Sequence, residues 1–175
     1  GLRRSGKSTL LSLFENHLIV NGIEKKHIIR MNFESFEFDE ITSYKELHAH
    51  IKERINDTNI KHYILLDEVQ QVSSWERVIN SFLVDANVDI YITGSNAYLL
   101  SSELSTLLSG RYVEIKMQPL SFKEYLDFLA SDKEMSIPEK FNQYLEYGWL
   151  PTVVELLDHP DTIGPFLEGI YNTVL

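Results

Sequence analysis

Cysteine is absent from these 175 residues, which excludes a disulfide framework and thiolate chemistry and fits a reducing compartment. Long apolar runs are missing as well. Nothing approaches the roughly 20 consecutive apolar residues that a bilayer-crossing helix needs, so no membrane partner is expected, and a cytoplasmic protein is the default expectation. Positive charge is scarce in the last third: residues 119–175 hold 3 Lys and Arg against 10 Asp and Glu, whereas residues 1–118 hold 13 against 16. An acidic segment of this kind repels phosphate backbones, and no basic stripe compensates for it, so it is a poor nucleic-acid surface by itself. Histidines with metal-ligand spacing are lacking too, since His48 and His50 stand two apart on an expected helix and face different ways. What the chain does have is 43% hydrophobic residues, enough to bury a sizeable core as one domain with or without a small appendage.

It also has glycines in an informative place. Gly1-Leu-Arg-Arg-Ser-Gly-Lys-Ser8 fits the pattern G-x-x-x-x-G-K-[ST] from its first residue. In that pattern glycines let backbone N–H groups converge on phosphates, the lysine reaches the β- and γ-phosphates, and the Ser/Thr hydroxyl ligates Mg²⁺. Gly1, Arg4, Ser5, Gly6, Lys7, Ser8 and Thr9 are therefore the candidate nucleotide-binding residues. The plain alternative is a Gly/Ser-rich turn before an ordinary helix. Leu10, Leu11, Phe14, Leu18 and Ile19 follow at helical spacing and Asn21-Gly22 supplies a stop, so the helix side of the loop is as expected. The strand that normally precedes such a loop is not in the sequence, and the expectation is a piece cut from a longer protein, open at both ends.

Downstream, strands and helices alternate. His27–Asn32 reads as a short strand, and the capping box Ser43-Tyr-Lys-Glu46 opens a helix over about 43–56. Tyr63-Ile-Leu-Leu66 is a continuous apolar run, typical of a strand buried on both faces. Ser74 precedes a helix carrying Trp75, Val78, Ile79, Phe82 and Leu83, and Asp89–Thr93 is a further strand. Leu99–Ser109 reads as a helix capped by Gly110, and Tyr112–Met117 as a last strand. This order indicates parallel β-α-β units with helices on both faces of a sheet. After Pro119 only helix signals remain: a second capping box at Ser121–Glu124, Pro138 opening a helix to about Tyr147, a break at Gly148–Pro151, then two helical pieces parted by His159-Pro160. The expected organisation is a nucleotide-binding core over 1–118 and a small helical lid over 119–175.

A buried strand that ends in two acids, as Tyr63–Leu66 does at Asp67-Glu68, suits a site where one carboxylate orients Mg²⁺ and its neighbour polarises a water for attack on a γ-phosphate. Asp67 is the candidate for the magnesium side, with Ser8, and Glu68 for the general base. A strand ending in an exposed polar turn is the alternative. Thr93-Gly-Ser-Asn96 ends the next strand, where Ser95 or Asn96 could stand between the glutamate and the γ-phosphate; the residues do not choose between them. Arg111, the final arginine in the chain, is either a surface group or a stabiliser of charge developing on phosphates, including those of a neighbouring subunit.

Taken in order, Gly1–Ser8, Leu66-Asp-Glu-Val-Gln70 with Trp75, Ile92-Thr-Gly-Ser95, Ser109-Gly-Arg111, Pro119-Leu-Ser-Phe122 and Tyr147-Gly-Trp-Leu-Pro151 resemble the AAA+ class of P-loop ATPases, and more closely the prokaryotic AAA-like members that usually carry a further C-terminal domain. The resemblance implies an α/β fold, a three-layer α-β-α P-loop NTPase with an AAA+-like parallel sheet and a small C-terminal helical lid. It implies ATP and Mg²⁺ binding at the Walker A and Walker B motifs, hydrolysis by a glutamate-activated water, and subunits meeting at the nucleotide as a homo-oligomer that works on a protein or nucleic-acid client. It also implies that Ser95 or Asn96 is the first sensor and Arg111 the arginine finger. No arginine follows Arg111, so a second-sensor arginine is not available. A GTPase is disfavoured because no Asn-Lys-x-Asp motif occurs. The other-class alternative is a non-hydrolysing nucleotide-binding or protein-interaction module.

Overall fold

The computed structural model describes residues 4–55, 57–85, 87–94, 108, 111–129 and 135–174. Two compact units divide the chain, Lys7–Ile115 and Lys116–Leu175 with Gly1–Gly6.

In the first unit, α1 (Lys7–Val20), β1 (Ile28–Asn32), α2 (Tyr44–Arg54), β2 (His62–Asp67), α3 (Trp75–Asp85) and β3 (Val88–Ile92) follow in chain order. The strands form one all-parallel sheet in the order β1-β2-β3, with Leu66 level with both Met31 and Ile92. Side chains alternate across a strand, and β2 shows what this does. Ile64 and Leu66 point to one face and join Ile29, Met31, Leu47, Ile51, Val78, Ile79 and Phe82 beneath α2 and α3. Leu65 points to the other and joins Ile28, Leu11 and Leu18 of α1. The result is three layers, helix over sheet over helix, with Ile64, Leu65 and Leu66 all fully buried. The expected helices and strands over 7–93 are therefore present with ends shifted by one or two residues.

α2 begins where expected because Ser43 and Glu46 cap it reciprocally: the Glu46 carboxylate accepts from the Ser43 and Thr42 amides at 2.9 and 3.0 Å. An isolated parallel bridge between Ser43 and Ser73 ties the starts of α2 and α3 together.

One expectation is corrected. Residues 112–117 are not a strand. Their apolar alternation is real, but a strand exists only where a neighbour takes its backbone hydrogen bonds. Among the described residues this segment joins no ladder, and Tyr112, Val113 and Ile115 are exposed. The expected helix over 99–109 lies outside the described residues, apart from Leu108, which is buried.

The second unit contains α4 (Phe122–Phe128), α5 (Ile137–Tyr147), α6 (Pro151–Glu155) and α7 (Ile163–Val174). Ser121 with Glu124 and Ser136 with Glu139 repeat the capping box. Pro138 sits in the first turn of α5, and Gly148, at φ +87°, ends it in a backbone region that a side chain would strain. Tyr125 is fully buried and donates its hydroxyl to Gln143 Oε1 at 2.8 Å, while Tyr144 donates to the Leu120 carbonyl at 3.0 Å. A second small core gathers around Leu150, Val153 and Ile163.

Two outcomes are expected. Leu66→Ala leaves a cavity at the centre of the sheet and lowers stability by about 2–5 kcal/mol, read from the urea midpoint. Hydrogen bonds from the serine caps hold the carboxyls of Glu46, Glu124 and Glu139 below the ordinary glutamate value of 4.5. A folded-state value below the unfolded one contributes stability that is complete above the unfolded value and is lost as pH falls through the folded one. Replacing all three by Gln should therefore flatten the pH dependence of helicity on the acid side of 4.5, measured by circular dichroism.

Candidate functional site

A carboxylate at the end of a buried strand is costly unless both oxygens are satisfied. Asp67, the last residue of β2, has no solvent exposure. Its Oδ1 accepts a short hydrogen bond from the Thr93 hydroxyl, while its Oδ2 is buried with no hydrogen-bond partner among the described residues. Thr93 follows β3, one step past the Leu66–Ile92 pair, so the register places it level with Asp67. Its hydroxyl also accepts from the Glu68 amide at 3.2 Å, and its backbone receives and gives bonds: Thr93 N donates to the Leu66 carbonyl at 2.9 Å, and Val69 N donates to the Thr93 carbonyl at 3.1 Å. Thr93 thus clamps the strand end that carries both acids.

Glu68 occupies the left-handed region, φ 54° and ψ 45°, and precedes the short 3-10 turn Val69–Gln71. That conformation is uncommon for a residue with a Cβ. It turns the chain sharply at the end of β2, and the Glu68 carboxylate accepts from the Gln70 side-chain amide. Gln70 Oε1 is buried with no hydrogen-bond partner among the described residues. Two unsatisfied acceptors, Asp67 Oδ2 and Gln70 Oε1, therefore lie in the Asp67–Gln70 segment, chemistry that suits a water or a hydrated cation.

Lys7 and Ser8 form the first turn of α1, with Thr9 next to them, and Ser8 and Thr9 are exposed. That turn is anchored from the sheet. Arg30 of β1 donates to Glu15 Oε2 at 2.8 Å and to Ser12 Oγ at 2.7 Å, and Ser12 in turn donates to the Ser8 carbonyl at 3.0 Å. The Arg30–Glu15 ion pair is half-buried, so it is less screened than a surface pair.

In the other unit, Arg4 has φ 60° and its guanidinium lies 4.7 Å from the centroid of the Phe166 ring in α7. Ser5 is buried, and Gly6 takes φ +87°, a conformation for which glycine is the natural residue. Nothing sterically close excludes a Cβ at Gly6; the backbone angle does.

The structure thus brings Asp67 and Glu68 together on one strand end and Lys7, Ser8 and Thr9 on one helix start. Arg111 is exposed, with its amide donating to the Leu108 carbonyl at 3.0 Å. Gly1, Ser95 and Asn96 lie outside the described residues. Thr93, Gln70 and Arg30 were not among the expected site residues. For Thr93 a signal existed: parallel pairing of the two strands aligns their polar ends. Among the described residues no three acidic or histidine side chains gather as a metal cage, and no helix is long and apolar enough to cross a membrane.

A family model described as an AAA domain matches residues 1–126. An uncharacterized protein of Haemophilus influenzae is 44% identical over the whole chain, which covers 44% of that protein. The uncharacterized protein MJ1544 of Methanocaldococcus jannaschii is 32% identical over 98% of the chain, covering 40% of its own length, and MJ1637 of the same organism is 30% identical over 80% of the chain, covering 29%. The chain spans less than half the length of these relatives. No solved structure matches it.

Thr93→Val keeps the shape and removes the hydroxyl, leaving Asp67 Oδ1 and the Glu68 amide without their shared partner. A loss of about 1–3 kcal/mol is expected, with Thr93→Ser close to the parent, both read from denaturant unfolding.

Proposed function

Because the chain belongs to the AAA domain family, matched over residues 1–126, we propose that it binds ATP with Mg²⁺ and hydrolyses it, as the nucleotide-dependent switch or motor of a longer cytoplasmic protein. The observation that carries this reading is the buried Asp67 carboxylate, with one oxygen held by Thr93 and the other without a partner among the described residues, beside Glu68.

In this reading residues Gly1, Arg4, Ser5 and Gly6 and the first amides of α1 receive the phosphates, with the N-terminal end of the helix dipole adding positive potential. The Lys7 ammonium neutralises charge on the β- and γ-phosphates. Ser8 and Asp67 are the residues that would hold Mg²⁺, which when bound would supply further neutralisation of the phosphate oxygens. Glu68 accepts a proton from the attacking water as the water oxygen bonds to the γ-phosphorus and the bond to the ADP oxygen breaks. Gln70 orients that carboxylate through its side-chain amide. Ser95 or Asn96 senses the γ-phosphate, and Arg111 serves the nucleotide of a neighbouring copy in a homo-oligomer acting on a protein or nucleic-acid client. A non-hydrolysing module is the second reading, favoured only if the Glu68–Gln70 bond holds the carboxylate away from water.

Glu68→Gln separates the two. It should retain ATP and Mg²⁺ binding while turnover falls by about 10²–10⁴-fold, the usual contribution of a general base, measured by phosphate release and by nucleotide retention on the protein. Undiminished turnover removes Glu68 from the base role, and an inactive parent protein with intact ATP binding supports the non-hydrolysing module.

A further inference from the structure

α2 and α3 pack side by side on the sheet face opposite α1, and between them opens a pocket of about 420 Å³ lined by Tyr44, Lys45, His48, Arg77, Val78 and Ser81. The spacing explains the lining. Residues 44, 45 and 48 share one face of α2, and 77, 78 and 81 share one face of α3, each set at helical i, i+3 and i+4 steps.

We propose that this pocket binds a small phosphate-bearing anion, separately from the nucleotide site. Lys45 and Arg77 are exposed cations, neither makes an ion pair among the described residues, and no acidic side chain lines the pocket. Glu46, the adjacent acid on α2, is committed to the Thr42 and Ser43 amides and hydroxyls. Two uncompensated cations in one pocket run against the net charge of -10, and they attract an anion by the same electrostatics that make the rest of the surface repel one.

Two of the three basic side chains are ordered beforehand. The Arg77 guanidinium lies 4.2 Å from the Tyr44 ring centroid, and the His48 ring stacks on Phe82 at 4.9 Å and 21°. Ordering in the free state removes part of the entropy cost of binding. Both helices also begin here: Lys45 is the second residue of α2 and Arg77 the third of α3. The positive ends of two helix dipoles therefore reinforce the side-chain charge. A guanidinium, an ammonium and two helix starts favour the multiple acceptors and double charge of a phosphate over a single carboxylate. The volume falls in the range of small-molecule sites.

The test uses isotope-labelled protein in a Lys7→Ala background, which weakens competition at the phosphate loop, titrated with inorganic phosphate and followed by amide chemical shifts. Saturable shifts at Lys45, His48 and Arg77, with affinity about tenfold weaker after Lys45→Met with Arg77→Met, are expected from the loss of two charged hydrogen-bond donors. Lys45→Arg keeps the charge and should keep binding. Shifts confined to residues 5–9, or an unchanged affinity in the double Met variant, overturn the proposal. A short DNA duplex that moves the same amides at lower concentration than phosphate overturns the small-ligand assignment in favour of a phosphodiester backbone; a duplex that binds no better supports it.

Discussion

A carboxylate with no solvent exposure has to be supported from within, and at Asp67 that support comes from a different strand. The Thr93 hydroxyl bridges Asp67 Oδ1 and the Glu68 amide, so the ends of β2 and β3 are joined by side chain as well as by ladder. The register of the sheet, the burial of Leu65 and Leu66 on opposite faces and the turn that starts at Glu68 place the two acids, and the Thr93 bridge ties these together at the strand ends. Asp67 Oδ2, like Gln70 Oε1, is then a residual demand, unmet among the described residues. Unpaired buried acceptors of this kind concentrate where a protein expects water, an ion or a ligand.

The helix start at Lys7 is fixed by a separate chain of contacts. Arg30 reaches from β1 to Glu15 and Ser12, and Ser12 reaches to Ser8. A guanidinium with two partners in fixed directions sets the rotation of α1 about its axis better than apolar packing alone. The three-layer core holds the helix against the sheet through Leu11 and Leu18, and the Arg30 contacts set where its first turn lies.

Much of this was legible in the sequence. Reciprocal caps such as Ser43 with Glu46 and Ser121 with Glu124 act over three residues, so sequence alone marks those helix starts, while at α5 the mark was Pro138 and the structure adds the Ser136–Glu139 cap. Tyr63–Leu66 read as a doubly buried strand because apolar side chains occupy both faces. Residues 112–117 also read as a strand, by their apolar alternation, and are not one, because pairing is a property of a neighbour and not of the segment itself. The role of Thr93 likewise arises only when two strands are laid in register, with His62 level with Val88 and Leu66 with Ile92. The α2–α3 pocket draws its charges from two helices, Lys45 from one and Arg77 from the other, and neither sequence segment alone shows that they meet.

Glu68 stands in a backbone conformation that its own side chain disfavours. Glycine or asparagine would sit there more comfortably, and either would remove the carboxylate from the turn after Asp67. Selection for a more stable fold and selection for an acid at this position therefore pull in opposite directions. A lineage that drifted toward thermal robustness without a need for the acid would be expected to lose it here first.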